Sequence, residues 1–373
     1  MSSPHNGAFN SAPTSEASLE ARLAAPDIET IDALESLGGD IVILGAGGKM
    51  GPSLATMARR AIADRARRVI AVSRFTDAQT AAALSAQGVE ILRADLSDPR
   101  AMAELPYATN VVWMAGQKFG TTGDPVGTWT QNVVASVHAA ERFAGARSVC
   151  FSTGNVYGRT RIANGGSQEG DPLVPDGEYA ASCVGRERVF ESVARRTGSP
   201  LLLYRLFYAC DLRYGVVTEL ALKVLQQQPI DLRTAWVNMI WQGDANRLAL
   251  RSLVTANTPA LALNVTGPMV RVREVAECLG KHAGVAPLFE HDEGAESLVA
   301  NVTRLDEQLP HTPLPLDTLA ERRPYEGVYR SWRPAQGSES AHFGRSRRTR
   351  RHYVPCGRNR CRSRKRLARV QRA

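Results

Sequence analysis

A glycine-rich turn in the first part of the chain has the clearest chemical signature. The apolar run Ile41-Val-Ile-Leu44 leads directly into Gly45, and Gly48 and Gly51 follow at intervals of three residues. Gly45 permits a tight turn, Gly48 lets the backbone approach a diphosphate, and Gly51 lets the next helix pack closely on the strand. That helix would point free N–H groups and a partial positive charge at phosphate oxygens. The spacing therefore predicts a pyrophosphate site of the dinucleotide-binding type.

The residues that end the next two apolar runs bear on the choice of cofactor. Ser73-Arg74 ends the second run, where an acidic side chain would bind the ribose 2′-hydroxyl of NAD and arginine would accommodate the 2′-phosphate of NADP. Arg74 is otherwise an ordinary solvated loop residue. Asp95, after the third run, either contacts the adenine or caps the following helix. The sequence predicts NADP or NAD, with NADP weakly favoured.

Short apolar runs alternate with amphipathic segments and supply the frame for these residues. Strands are predicted at residues 41–44, 69–72, 90–92, 110–114, 148–151 and 201–204. Helices are predicted between them at residues 53–63, 78–86, 129–143 and 179–195. Strands that alternate with helices form a parallel sheet covered on both faces. The predicted fold class is α/β, a doubly wound parallel sheet (Rossmann fold) with a smaller C-terminal α/β part.

Five segments follow from this pattern. Residues 1–15 are polar and are predicted to be disordered, residues 16–38 form a helical segment, and residues 39–210 form the NAD(P)-binding domain. Residues 211–330 form a substrate-binding part, with a strand at 261–265 and a helix at 272–283. Residues 331–373 are a basic tail. The tail holds 14 of the 46 Lys and Arg residues and one acidic residue, so the net charge of +9 belongs to the tail alone.

Composition excludes several functional classes. The cysteines of the chain's body are scattered singly, which fits a reducing compartment and no disulfide framework. No apolar run approaches the roughly 20 residues of a membrane span, and the polar N-terminus shows no secretory signal. The seven histidines lack metal-ligand spacing, so no metal site is predicted. These features predict a cytoplasmic protein without a membrane partner.

Three further motifs resemble the extended short-chain dehydrogenase/reductases, the NAD-dependent epimerase/dehydratase family. Ala-Gly-Gln-Lys at 115–118 is similar to an Ala-Gly-Leu-Lys stretch of UDP-galactose 4-epimerases. Ser-Thr-Gly-Asn-Val-Tyr-Gly at 152–158 looks like the family's Ser-Thr-x-x-Val-Tyr-Gly signature. Tyr-Ala-Ala-Ser-Cys at 179–183 stands where the family has Tyr-x-x-x-Lys. The resemblance covers about residues 40–325.

This resemblance implies a reaction and the residues that perform it. The family transfers hydride to or from a sugar, sugar acid or nucleotide sugar, and a homodimer is compatible with the likeness. Tyr179 would be the acid/base, and Thr153 would hydrogen-bond the reacting oxygen. Cofactor contacts are then predicted at Gly45, Gly48, Lys49, Met50, Gly51, Ser73, Arg74, Asp95, Leu96, Ala115, Gly116 and Lys118.

Cys183 departs from the family, because a neutral thiol cannot lower the pKa of Tyr179 as an ammonium does. Three interpretations follow. Another cation substitutes, with Lys118 the first choice and Arg186 the second. Alternatively the reaction runs slowly or on a more acidic proton. In the third interpretation catalysis is lost, and the chain is an NAD(P)-binding sensor or scaffold.

Three other polar residues are weaker candidates. Asn132 either supports the active-site strand or is polar filler. Arg205 and Arg213 follow the sixth predicted strand, where they meet a substrate phosphate or carboxylate or form surface salt bridges. None of the three is predicted to be catalytic.

The basic tail has two interpretations. Its arginine-rich runs at 344–351 and 358–366 suit the phosphates of a nucleic acid. The family-like pattern stops near Trp332, however, and the Arg/Ser/Gly/Cys-rich run after it is typical of a GC-rich gene read out of frame. An out-of-frame or eroded C-terminus is therefore favoured over a nucleic-acid arm.

Overall fold

A seven-stranded parallel sheet organises residues 13–315, the part of the chain that this computed structural model describes. The order in the sheet is β11-β7-β5-β4-β1-β2-β3, and every pairing in it is parallel. The strands are β1 (Ile41–Leu44), β2 (Val69–Ser73), β3 (Glu90–Arg93), β4 (Asn110–Trp113), β5 (Arg147–Thr153), β6 (Thr160–Arg161), β7 (Leu201–Leu206), β8 (Tyr208–Cys210), β9 (Ile230–Asp231), β10 (Trp236–Trp241), β11 (Leu261–Val265), β12 (Met269–Arg271), β13 (Phe289–Glu290) and β14 (Glu296–Ser297).

Helices cover both faces of the sheet, as the alternation in the sequence predicts. They are α1 (Glu16–Leu23), α2 (Ile28–Glu35), α3 (Gly51–Ala61), α4 (Ala78–Ala86), α5 (Pro99–Glu104), α6 (Pro125–Trp129), α7 (Ala135–Arg142), α8 (Gly177–Thr197), α9 (Val216–Leu225), α10 (Gln242–Thr255), α11 (Val272–Ala283) and α12 (Thr303–Gln308). One apolar cluster packs α3 and α10 on one face, and a second packs α7 and α8 on the other. The predicted Rossmann-type α/β fold is confirmed.

The order of the strands reverses between β1 and β4. In doubly wound sheets the ligand crevice lies outside the carboxyl ends of the strands at such a reversal. The glycine turn follows β1 and the 115–118 stretch follows β4, so both motifs reach this crevice.

The part of the chain that follows β7 contributes to two layers. β8, β10 and β12 form a separate three-stranded sheet, with β10 parallel to β8 and antiparallel to β12. β11 instead joins the edge of the main sheet, and the hydroxyl of Tyr204 in β7 donates to the carbonyl of Ala245 in α10 at 2.7 Å. A single boundary at residue 210 does not separate these layers.

Two predicted helical segments each contain more than one helix in the structure. The segment at 16–38 forms α1 and α2, because Pro26 interrupts the first helix and Asp27 caps the second by accepting from the Thr30 amide. The predicted helix at 129–143 begins earlier, as α6, and passes through a π-helical turn at Thr130–Val134 before α7. The predictions for residues 1–12 and 316–373, including the basic tail, lie outside the described residues.

Candidate active site

The glycine turn has the close packing that its sequence predicts. Gly45 adopts φ of +95°, and a Cβ there would lie 2.5 Å from the backbone nitrogen of Ala115. A Cβ at Gly51 would overlap the carbonyl oxygen of Ala46. Both positions therefore require glycine for reasons of conformation or packing.

The two middle glycines of the turn have different neighbours. A Cβ at Gly47 would lie 2.7 Å from the Oγ of Ser73, so this glycine lets the turn approach β2. A Cβ at Gly48 would lie 3.4 Å from the oxygen of Gly45, which is ordinary contact. The protein itself does not demand glycine at position 48, which faces the cavity described below.

The start of α3 can accept an anion. Met50 is its N-cap and makes no side-chain capping bond. Within residues 13–315, the backbone N–H groups of Lys49 and Met50 donate to no other group. Unpaired N–H groups at a helix N-terminus attract phosphate oxygens. The turn therefore fits a diphosphate, which is the group that the sequence predicts here.

A cavity of about 250 Å³ extends from this turn across the ends of β2, β3 and β4. Its lining contains the predicted contacts Gly45, Gly48, Ser73, Arg74, Asp95, Leu96, Ala115 and Gly116. Sequence reasoning missed other lining residues, namely Gly47, Phe75, Thr76, Asp77, Thr80, Ala94, Met114 and Gln131. Asp77 is recognisable in the sequence as the N-cap of a helix. Nothing in the sequence shows, however, that the loop before α4 borders the cavity.

Acidic side chains of the lining are engaged in local turns. The Ser97 hydroxyl and the Ser97 amide both donate to Asp95, and with the charge of Arg74 they lower the pKa of its carboxyl group. Helix α5 is capped by Asp98 instead, so the helix-capping interpretation of Asp95 is wrong. Asp77 accepts from the amide of Gln79 as the N-cap of α4.

Thr153 and Tyr179 meet where β5 and α8 come together. Thr153 is the last residue of β5, and Tyr179 lies in the first turn of α8. Thr153 is close enough to Tyr179 to lower the pKa of its phenol. Burial raises the pKa of Tyr179 above that of a free phenol, and Cys183 adds to this effect, whereas Arg186 and Thr153 oppose it.

Cys183 is fully buried one helical turn after Tyr179, and the two side chains influence each other's pKa. Burial raises the pKa of the Cys183 thiol, so the thiol is neutral at neutral pH. The site therefore has no cation at the position where the family has Lys.

Lys118 and Lys49 are not among the residues that line the cavity, and both ammonium groups lie near the ring of Phe119. The Lys118 Nζ is 5.8 Å and the Lys49 Nζ is 5.4 Å from the centre of the Phe119 ring. Lys118 keeps solvent access, but the surrounding protein lowers the pKa of its ammonium and Lys49 lowers it further, while Glu219 and Cys183 raise it. The pKa of Lys118 therefore depends mainly on its own surroundings and on Lys49, and least on Cys183.

Asn132 lies in the π-helical turn and connects several elements of the site by hydrogen bonds. It is fully buried, accepts from the amide of Gln117 at 2.7 Å and donates to the Gln117 carbonyl at 3.0 Å. It also donates to the Ser182 hydroxyl at 2.8 Å and accepts from Arg186 at 2.8 Å. Asn132 thus joins the loop after β4 to α8 and is not polar filler.

The other two candidate arginines form ion pairs. Arg205 lies within β7 and pairs with Glu187 at 2.8 Å, with both side chains buried. Arg213 pairs with Asp211 and, at 2.5 Å, with Glu20 of α1. The salt-bridge interpretation holds for both, although the pair of Arg205 is in the core instead of on the surface.

Comparisons with known proteins agree with this architecture. No protein-family model matches the chain, and no curated relative matches it. Among solved structures, a UDP-galactose 4-epimerase superposes with a TM-score of 0.63 at 21% identity, over 79% of this chain and 100% of its own. The UDP-glucose 4-epimerase of Thermus thermophilus, solved with NAD, gives 0.62 at 20% identity over the same shares.

A further match is the UDP-glucuronic acid 4-epimerase of Bacillus cereus, solved with NAD, with a TM-score of 0.63 at 16% identity, over 79% of this chain and 100% of its own. Among the helices of residues 13–315, none has the length and apolar character that crossing a membrane requires. The resemblance read from the sequence motifs is confirmed at the level of the fold: the chain has the architecture of these nucleotide-sugar epimerases.

Proposed function

We propose that the chain is an NAD(P)-dependent oxidoreductase or epimerase that acts by hydride transfer on a sugar, sugar acid or nucleotide sugar. One observation carries this proposal: the glycine turn opens into a cavity at the strand-order reversal, and Thr153 and Tyr179, which interact with each other, lie at the end of β5 and in the first turn of α8. The end of β5, which holds Thr153, is the neighbour of the end of β4, which lines the cavity. The glycine turn and the unpaired N–H groups of Lys49 and Met50 would hold the diphosphate of such a cofactor.

The nicotinamide ring, when bound, supplies the site that gives or takes a hydride. Thr153 would hold the substrate oxygen, and Tyr179 would exchange a proton with it. Because burial raises the pKa of Tyr179, its hydroxyl is protonated at neutral pH and is ready to donate to a carbonyl oxygen that becomes an alcohol. The opposite direction needs the phenolate, so the site as built favours carbonyl reduction near neutral pH.

A second candidate function is a cofactor-binding sensor or scaffold without turnover. The specific observation in its favour is the neutral Cys183 beside a tyrosine whose pKa is raised. Both functions need the glycine turn, so cofactor binding alone does not separate them.

Two measurements test these functions in sequence. Fluorescence titration with NADH and NADPH reports whether the chain binds nicotinamide cofactors. Wild type and Tyr179→Phe are then compared for interconversion of UDP-glucose and UDP-galactose and for cofactor reduction with sugars and sugar acids. Turnover that Tyr179→Phe abolishes while binding persists supports the enzyme. Binding without turnover across this panel supports the sensor, and no binding overturns both.

The finer parts of the proposal concern cofactor choice and location. Arg74 lines the cavity and its side chain is exposed, so it is free to meet a 2′-phosphate, which supports NADP. The NAD-bound epimerases of the same fold leave NAD as the alternative. The cytoplasmic location stays a prediction.

A further inference from the structure

Arg186 is a buried cation without a carboxylate partner. Its residue is 5% exposed, and its guanidinium donates to the carbonyl oxygen of Phe151 at 2.9 Å and to the Oδ1 and backbone oxygen of Asn132 at 2.8 and 3.3 Å. All three acceptors are neutral. Among residues 13–315, no carboxylate lies within 4.0 Å of this guanidinium. Its hydrogen bonds are satisfied, but its positive charge is not neutralised.

Arg205 is a second buried arginine of the same fold and, unlike Arg186, it has a carboxylate partner. It is 4% exposed, close to the value of Arg186, but its Nε and Nη2 both donate to Glu187, at 3.0 and 2.8 Å. Burial of a charge is costly unless an opposite charge accompanies it. Uncompensated buried charges are therefore uncommon, and they concentrate at functional sites.

The position of Arg186 links it to both halves of the candidate site. Its guanidinium lies against Gly116, where a Cβ would overlap it, and Gly116 lines the cofactor cavity. Its Nη1 bonds β5 two residues before Thr153. Arg186 follows Tyr179 by seven residues, or two turns of α8, so the two side chains share one face of the helix.

The π-helical turn helps to place this guanidinium. Its wider backbone exposes the carbonyl oxygen of Asn132, which accepts from the Ser136 hydroxyl at 2.7 Å and from the Nε of Arg186. Such turns are rare and often occur at functional sites. An arginine at position 186 thus has a prepared set of acceptors, none of which cancels its charge.

We propose that Arg186 supplies the positive charge that is missing at Cys183, and that it acts as a positioning residue that stabilises the phenolate form of Tyr179. In the family that the chain resembles, the cation lies one helical turn after the tyrosine. In this chain it would lie two turns after the tyrosine, at Arg186. This inference rests on the proposed function for its catalytic meaning. Lys118 then interacts with Lys49 and Glu219, which change its pKa in opposite directions.

The groups that act on Tyr179 come from two elements. Thr153 reaches it from β5, and Cys183 and Arg186 lie on its own helix. Arg186 lowers the pKa of both Tyr179 and Cys183, whereas Lys118 and Glu187 act on Cys183 with opposite signs. Arg186 is thus the cation that acts on both members of the pair.

Direct titration of Tyr179 tests the inference without cofactor or substrate. The full chain is labelled with 3-fluorotyrosine, which brings the phenol titration to lower pH, and the Tyr179 signal in the fluorine NMR spectrum is assigned with Tyr179→Phe. Arg186→Gln should raise the pKa of Tyr179 by about one unit or more, since a neighbouring opposite charge is worth about 1–3 units. Arg186→Lys should raise it less, and Lys118→Met should change it least.

A rescue variant separates charge from structural support. Adding Cys183→Lys to Arg186→Gln should bring the pKa of Tyr179 back down, because it returns a cation to the site without rebuilding the bonds to Asn132. An unchanged Tyr179 titration in folded Arg186→Gln, or no rescue by Cys183→Lys, would overturn the proposal. If Arg186→Gln does not fold, Arg186→Lys and Lys118→Met decide, and a larger shift in Lys118→Met contradicts the proposal. The titration of Tyr179 does not require cofactor binding. A failure of this inference about Arg186 is therefore distinguishable from a failure of the proposed function.

Discussion

The cleft at the carboxyl edge of the main sheet has two ends that are built on different principles. At the glycine turn, backbone conformation and close packing define the site, as the positive φ of Gly45 and the contact of Gly51 with Ala46 show. Around Tyr179, side-chain charge and burial define it, and there the chain departs from the family pattern at Cys183. We call these the turn end and the tyrosine end.

This difference indicates which changes each end tolerates. Backbone N–H groups bind phosphate whatever the neighbouring side chains are, so Lys49 and Met50 can vary while Gly45 and Gly51 cannot. A tyrosine needs a nearby cation, but the cation can come from any element that reaches it. At the tyrosine end, a different residue can therefore supply the positive charge. We infer that Arg186 is this residue.

The largest effect is expected from a side chain at the turn end. Gly45→Ala places a Cβ 2.5 Å from the Ala115 nitrogen in a conformation that costs an L-residue about 1–2 kcal/mol. We expect a lower melting temperature and a loss of NADH or NADPH binding of at least about 100-fold, equivalent to about 2.8 kcal/mol. Gly48→Ala is the matched control, because its Cβ makes ordinary contact and should weaken binding without lowering the melting temperature. Equal effects of the two variants would contradict this account of the turn.

At the tyrosine end, Tyr179→Phe removes the proton donor and leaves the turn end intact. Catalytic acids and bases contribute about 10²–10⁴-fold to rate, so turnover should fall by that factor. NADH or NADPH affinity, measured by fluorescence, should stay within about twofold, which is less than 0.5 kcal/mol. A variant that keeps its turnover would show that Tyr179 is not the acid.

The pH dependence should differ between the two directions of the reaction. Because burial raises the pKa of Tyr179, the phenolate that alcohol oxidation requires forms only in alkaline solution. Oxidation should therefore keep increasing beyond pH of about 10, the ordinary pKa of the phenol, while carbonyl reduction stays flat through neutral pH. Initial rates in both directions test this, and an oxidation plateau near pH 7 would contradict the raised pKa.

The smallest effect is expected from Arg74, which is exposed at the rim of the turn end. Loss of a charge-assisted contact to a 2′-phosphate should weaken NADPH binding by about tenfold, or about 1.4 kcal/mol. Arg74→Ala should leave NADH affinity unchanged, so the ratio of the two affinities is the measurement. Equal losses for both cofactors would remove the basis for a preference for NADP.

Sequence alone predicts the turn end better than the tyrosine end. The buried strand Ile41–Leu44 and the glycines after it form a local pattern, and both have the predicted structure. The charge environment of Arg186 depends on Phe151 and Asn132, which are distant in the chain and meet only in the fold. The π-helical turn that presents Asn132 also has no signal in the periodicity, because one wider turn leaves the apolar spacing nearly unchanged.

Calorimetric titration of the purified full chain with NAD⁺, NADH, NADP⁺ and NADPH tests the central claim most directly. We expect saturable binding of at least one of these dinucleotides, together with a higher melting temperature, because a ligand that binds only the folded state stabilises it. Gly45→Ala should abolish both effects. A folded, monodisperse chain that binds none of the four would contradict the account at both ends of the cleft.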